Sequence, residues 1–522
     1  MSRTSFYEYV PCNGAELFTL VCLPEERGVF PTVILRSPYV DAEEAPTEAE
    51  LCERKLTEFA GWLDAGFAVA FQHCRGRGKS SGDCIPYQYE REDGLRMHQW
   101  VREQAFYNGE LYLCGHSYRA AVHFLTAPFA PDIKGAILEA MDCERYHGSY
   151  RNGLFKVGLH GIWYIGMYKH KQHLKKSYTL DSYRMLPMSD FTETVFGEHA
   201  TNFDTILRHP NRSDAFWDSP LGGSESRGMI RHAGIPILLV VGLYDIYTGG
   251  LFDMWQGLDE ETRAQCALAV HPFDHGGNGE KQPVNFENGK LGDAFPHFRS
   301  RWLNAIRGKC DFPFARGKIT YYSLFENKWH TDDFFDANGN VRIALGEGER
   351  TYKYNPYAPA SFPGGLSANF GGNAWQDAPN SRYDIVSVYT PAFERDTFVK
   401  GKMRARLKVR SDCEDTCFYL RLSLCKEEGD YGLRDDINQI SNFDAAYRPN
   451  TDLEMTFSFD EHAFLIRKGE RLRIDISSSA WPHYIPHTNR SGLFSEQTTA
   501  RVATNTVDLE QSYLELPIFT EA

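Results

Sequence analysis

Ser117, Asp245 and His275 are of the types, and in the order, that nucleophilic acyl transfer requires. A serine hydroxyl is a weak nucleophile until a base takes its proton, and the base works best when an acid orients it. Ser117 stands in ELYLCGHSYRAAVHF. There a short apolar run, Leu111 to Cys114, leads into Gly115-His116-Ser117-Tyr118, and the small pair Ala120-Ala121 opens a helical pattern. A strand that turns sharply into a helix exposes the residue at its apex beside the free N–H groups of the helix N-terminus. Gly115 leaves room for such a turn. A second glycine two residues after the serine is missing, and Arg119 stands there. By itself G-x-S is common in strand–helix connections, so its meaning depends on the rest of the chain.

Asp245 closes the apolar run ILLVVGLYD, and His275 lies in the loop after ALAVHPFD. The competing groups fit less well. Asp274 is adjacent to His275 and is expected to point away from it. Asp93 begins a helix and reads as a charge on the helix dipole. His271 is still within its strand or just leaving it. HPFDH has the spacing of a metal pair, but Pro272 and Gly276 make it a loop and no third ligand stands out, so neither metal nor cofactor is expected. Acyl transfer also needs two donors aimed at the developing alkoxide. The backbone N–H of Tyr118 can supply one and the phenol of Tyr39, which ends the run PTVILRSPY, the other.

These residues need a scaffold, and the chain provides a strand rhythm. Residues 6 to 24 alternate around Asn13-Gly14 and predict an edge hairpin. Apolar strands follow at 31–40, after the Ala65-Gly66 turn within 61–74, at 111–114 and at 134–141, with a helix over 90–103, and the rhythm resumes at 235–245 and within 266–277. Such runs alternating with helices predict a mostly parallel sheet covered on both faces, which binds ligands at the carboxyl ends of its strands. Tyr39, Ser117 and Asp142 all fall just past a strand end. Between 143 and 225 the rhythm stops in an aromatic-rich stretch that predicts an inserted helical cap, its basic segment KHKQHLKK a solvated helix face. Phe295 to Gly308 predicts a last amphipathic helix. Beyond 312 short alternating segments, KITYYSLF, MRARLKVRS, CFYLRLSLC and RLRIDISSS, predict an antiparallel jelly-roll sandwich. The expected organisation is therefore a sheet domain over 1–142 and 226–311, a cap over 143–225 and a sandwich over 312–522.

A net charge of −14 argues against a nucleic-acid surface. No secretory leader and no apolar run of membrane-spanning length stand in the sequence, and the 12 cysteines lack metal spacing. These features predict a cytoplasmic protein without membrane or nucleic-acid partners. A homo-oligomer is possible, with the sandwich as its pairing surface.

The motifs taken together resemble one family. RSPY at 36–39, QHCRGRGKSSG at 72–82, the run from WVREQ through GHSYRA, GLYDIY, HPFDHGG, YNPYAPASFPGG at 354–365 and WPHYIPHTNRSG at 481–492 are similar, in order, to motifs of one group of serine hydrolases. That group is the cocaine-esterase and X-prolyl dipeptidyl-peptidase family, with the α-amino acid ester hydrolases and cephalosporin acylases. The resemblance implies an α/β-hydrolase domain, a helical cap and a C-terminal jelly roll. It implies Ser117 as nucleophile, Asp245 as acid, His275 as base, and Tyr39 and the Tyr118 N–H as oxyanion donors. Arg119 then falls where the family already has no glycine, and the departure is Ala120 for Gly. His73 replaces an Asp, and Ala105-Phe106 replace Pro-Trp. An acidic pair that follows the triad aspartate in α-amino acid ester hydrolases is here Tyr247 and Thr248, and no counterpart of the large N-terminal domain of the X-prolyl peptidases is expected. Asp142, Glu144, Trp163 and Tyr164 are the expected pocket residues. The expected reaction is hydrolysis of a small-molecule carboxylic ester, or of an amide, through an acyl-serine. An acyltransferase or dipeptidyl peptidase using the same triad is the alternative, and a silent binding protein a more distant one.

Overall fold

The computed structural model describes residues 3–39, 46–167, 179–224, 230, 234–277, 279, 282–284, 286–366 and 372–519. Tyr168, the KHKQHLKK segment and the expected boundary at 225/226 lie outside the described residues.

The hairpin forms as Asn13-Gly14 dictates. β1 (Thr4–Cys12) pairs antiparallel with β2 (Ala15–Leu23), with Cys12 opposite Ala15 across the turn. The apolar runs become β3 (Phe30–Ser37), β4 (Ala68–His73), β5 (Tyr107–His116) and β6 (Ile133–Glu139). A short pair, β7 (Tyr150–Arg151) and β8 (Leu154–Phe155), opens the cap. The main sheet resumes with β9 (Ile237–Gly242), β10 (Ala267–His271), β11 (Ile319–Ser323) and β12 (Lys328–Asp332). The main sheet runs β1-β2-β4-β3-β5-β6-β9-β10-β11-β12, parallel from β4 through β11 and antiparallel at both edges. Every residue of β4, β9 and β10 is buried, as strands covered on both faces must be.

Two strands depart from the expected layout. KITYYSLF was expected in the sandwich, but its core is β11, which pairs parallel with β10, and β12 closes the main sheet. The alternation of short strands looks the same whichever sheet they join, so only the pairing partner decides. The sandwich itself is two antiparallel sheets. One is built around the long strand Ala503–Ile518 and the other has four strands, with Cys417–Lys426 between Arg471–Ser477 and Gly429–Gln439. The molecule is an α/β-hydrolase domain with an inserted cap and a C-terminal jelly-roll sandwich.

The cap is less regular than one helical domain. It consists of short helical turns and the β7–β8 pair around an aromatic cluster that includes Tyr150, Phe155, Tyr183, Phe203 and Trp217. Charge fixes it to the sandwich: the Arg151 guanidinium reaches Asp436 at 2.7 Å and Asp460 at 2.8 Å. The sandwich also grips the sheet. Tyr244 donates to the Gly432 carbonyl at 3.0 Å, and the buried Arg434 donates to the Leu243 carbonyl, two residues before Asp245.

Candidate active site

β5 ends at His116, and the helix Tyr118–Phe124 begins one residue after Ser117. Ser117 has a left-handed backbone, φ +59°. A non-glycine residue held there is strained and persists only where its surroundings over-determine it. Here they do: its N–H donates to the Glu139 carbonyl at 2.9 Å, and its own carbonyl accepts from Ala120 at 2.7 Å and Ala121 at 3.1 Å. A Cβ at Gly115 would sit 2.1 Å from the Arg119 carbonyl oxygen, so only glycine fits the turn.

The sheet brings the three chemistry-bearing residues together. His275 Nε2 lies 2.8 Å from Ser117 Oγ, and His275 Nδ1 lies 3.0 Å and 3.2 Å from the two Asp245 carboxylate oxygens. Asp245 is fully buried and accepts from the Tyr247 N–H at 3.0 Å. Burial pushes its carboxyl up, but the His275 charge and the hydrogen bonds from His275 and Tyr247 outweigh this, and the net shift is downward. Burial works against a charged His275, yet the Asp245 carboxylate prevails and holds the ring above its ordinary value. Such a pair takes a proton readily from a neighbouring hydroxyl. His116 Nε2 meets the His275 carbonyl at 2.9 Å and so fixes the loop that carries the base. His271 ends β10, buried and pushed down to about 4 by that burial. Among the described residues, no three His, Cys, Asp or Glu side chains are grouped to hold a metal ion.

Two donors converge beside the serine. The Tyr39 hydroxyl lies 3.5 Å from Ser117 Oγ, is bonded by the Tyr118 N–H, and accepts from Trp163 Nε1 at 3.2 Å. Burial keeps this phenol protonated by raising its pKa. Below it, the Tyr118 hydroxyl donates to Glu90 Oε1 at 2.9 Å, and Arg36 pairs with Glu90 Oε2 at 2.8 Å. Arg36 lies three residues before Tyr39, so one buried carboxylate ties down both donor-bearing segments. Asp93 differs from expectation. It is wholly buried and forms a bidentate pair with Arg75, at 2.5 Å and 3.1 Å, which anchors the helix rather than only answering its dipole. His73, packed between the rings of Phe18 and Phe71, is pushed down to about 4 by burial and by nearby Lys55 and Lys79.

A cavity of about 420 Å³ opens on Ser117, walled by Tyr87, Met141, His160, Ile162, Trp163, Met167 and Tyr247 together with the residues already placed. Of the expected pocket residues only Trp163 lines it. Asp142 turns away to His147 Nδ1 at 2.6 Å and fills the space above Gly250. Glu144 pairs with Arg212. The fully buried Tyr164 hydroxyl accepts from Arg145 Nε at 2.6 Å and meets Ser149 Oγ at 3.2 Å. Asp142 stands just past β6, as its strand-end position implies, but it does not line the cavity, because the cap sets the direction of its side chain. Tyr247 carried a signal, two residues past Asp245, and Met141 another, just past β6. Tyr87 and His160 carried none.

The X-Pro dipeptidyl-peptidase (S15 family) profile matches residues 13–277, and the X-Pro dipeptidyl-peptidase C-terminal non-catalytic domain matches 316–515. The chain is 20% identical to cocaine esterase of Rhodococcus sp. (strain MB1 Bresler), over 94% of this chain and 93% of that protein. Among solved structures, an aminopeptidase from a marine sediment Thaumarchaeota archaeon superposes with a TM-score of 0.80 at 17% identity, covering 99% of this chain and 96% of the other. An α-amino acid ester hydrolase does so with a TM-score of 0.80 at 16% identity and the same coverage. A CocE/NonD family hydrolase of Staphylococcus aureus follows with a TM-score of 0.65 at 14% identity, covering 99% and 93%. The motifs, the sheet and the matched profile agree, and the chain belongs to the X-Pro dipeptidyl-peptidase (S15) family.

Proposed function

We propose that this protein is a serine hydrolase that cleaves a carboxylic ester through an acyl-enzyme on Ser117. The observation that carries the reading is the unbroken hydrogen-bonded series Ser117–His275–Asp245, with the Tyr39 hydroxyl and the Tyr118 N–H facing the same serine. His275 Nε2 takes the Ser117 proton as Oγ attacks the ester carbonyl. The carbonyl oxygen gains negative charge and is met by the Tyr39 hydroxyl and by the Tyr118 N–H, which exchanges its contact with Tyr39 for the oxyanion. The intermediate collapses, and His275 returns the proton to the departing alcohol. Water then repeats the sequence and frees the carboxylic acid.

The pocket favours an ester over a peptide with a free N-terminus. A free α-amino group calls for a carboxylate partner, and the described residues that line the cavity include none. The curated relative named as an esterase supports the same reading. Twelve cysteines that form no disulfide suit a reducing compartment, the cytoplasm. The test is Ser117→Ala on p-nitrophenyl esters of graded chain length. Activity is expected to fall by at least about 10⁴-fold with the fold unchanged by circular dichroism; full activity in the variant would sink the reading. Adding an alcohol or amine acceptor and measuring product partition separates hydrolysis from acyl transfer.

A further inference from the structure

Tyr87 stands in the turn before the helix Glu90–Arg102, far in sequence from the triad, and yet it walls the cavity beside Ser117. Its backbone is left-handed, φ +74°, a conformation that a bulky residue rarely adopts. Three contacts hold it there. Its N–H donates to the Tyr118 hydroxyl at 2.7 Å. The Arg145 guanidinium lies 4.3 Å from its ring centroid. Gly223 presses on the ring so closely that a Cβ there would stand 2.5 Å from it. Strain held this firmly next to a nucleophile points to a function for the side chain.

Arg145 sharpens the point. It is buried, and among the described residues no carboxylate pairs with it; the rings of Tyr87 and Tyr164 flank it at 4.3 Å and 4.8 Å. A guanidinium on the ring face withdraws electron density from the phenol and makes its O–H a better donor. The hydroxyl of Tyr87 has no hydrogen-bond partner among the described residues, and it is not one of the buried unsatisfied groups, so it opens to the cavity. The pocket's other phenols are occupied: Tyr39 by Ser117 and Trp163, Tyr247 by His160 Nε2 at 3.1 Å. Tyr87 and Tyr247 are buried where they wall the cavity, whereas Ile162, Trp163 and Gly166 are partly exposed, and the acyl group is taken to lie on the buried side with the alcohol leaving by the partly exposed one.

We propose that Tyr87 is a specificity-determining residue of the acyl pocket, donating a hydrogen bond from its hydroxyl to an acceptor oxygen, a ketone or ether, on the substrate's acyl chain. The proposal rests on the ester-hydrolase reading of Ser117. Burial raises the phenol's pKa well above its ordinary value, so it remains a donor throughout the working range of a serine hydrolase.

The test uses Tyr87→Phe, which keeps the ring, the guanidinium contact and the backbone N–H. Substrates are p-nitrophenyl esters with a ketone at successive positions of the acyl chain, each paired with the hydrocarbon of equal length. The wild type is expected to prefer the ketone at one position, and the variant to lose about 3- to 10-fold of that preference, read as kcat/KM for the ketone over kcat/KM for its matched hydrocarbon. Equal effects on both members of each pair, or no ketone preference in the wild type at any position, would overturn the proposal and leave the ester reading standing. A wild type that hydrolyses none of the esters and whose Ser117 resists a fluorophosphonate probe would overturn both.

Discussion

Ser117, Asp245 and His275 leave β5, β9 and β10 at one edge of a single sheet, whereas the groups that would hold a substrate arrive by unrelated routes. Tyr87 comes from a turn, Met141 from the end of β6, His160 and Trp163 from the cap, and Tyr247 from the loop beyond Asp245. The strand spacing of a parallel sheet places the first set within hydrogen-bond reach whatever the side chains of the cap are. The second set depends on packing between elements that share no period. Chemistry is therefore placed by a repeating backbone, and selectivity by a non-repeating one. The sandwich acts on both, since Arg434 holds the Leu243 carbonyl on the sheet side and Asp436 and Asp460 hold Arg151 on the cap side.

Mutations on the two sides are expected to behave differently. Asp245→Asn acts on the sheet side alone. It leaves the imidazole in place but removes its anion, and kcat is expected to fall about 10³- to 10⁴-fold. The sign of its pH effect follows from the site. Asp245 raises the pKa of His275 against burial, and His275 must be neutral to accept the proton, so losing the anion lowers that pKa. The acid limb of the kcat/KM profile is expected to move to lower pH. A limb that stays put or moves upward would show that another group titrates.

Arg151→Met addresses the cap side. It leaves Asp436 and Asp460 buried without their partner, a change that costs about 3–5 kcal/mol in comparable pairs. Calorimetry is expected to show a lowered cap–sandwich transition, with residual ester activity at low temperature because the sheet edge is intact. Loss of Ser117 labelling by a fluorophosphonate in the folded variant would instead mean that cap and sheet cannot be separated. The smallest of the three is Tyr39→Phe, at the junction of the two sides. Removing one oxyanion donor is expected to lower kcat about 10²-fold with KM little changed. A change confined to KM would make Tyr39 part of the pocket wall and not of the chemistry.

The strand-end residues were legible because apolar runs mark buried parallel strands and a residue just past such a run has few places to go. The same logic reached Asp142 and stopped short. Its position past β6 was right, but His147 and the helix bearing Gly250 turn the carboxylate away from the cavity. Tyr164 illustrates a second limit. An aromatic residue in a cap can line a cavity or lie in the core, and the choice falls to Arg145 and Ser149, which take its hydroxyl inward. KITYYSLF illustrates a third, since alternation records that a strand has two faces and not which strand lies beside it.

The sequence by itself determined the strands, the turn at Gly115-His116-Ser117 and the order serine, aspartate, histidine, because these depend on local sterics and on hydrophobic period. Tertiary structure alone decided what faces the serine. It bent Tyr87 into a left-handed backbone over Arg145, turned Asp142 and Tyr164 aside, and gave the main sheet two strands from beyond residue 312. Each of those outcomes depends on contacts between segments tens to hundreds of residues apart, and such contacts leave no period along the chain.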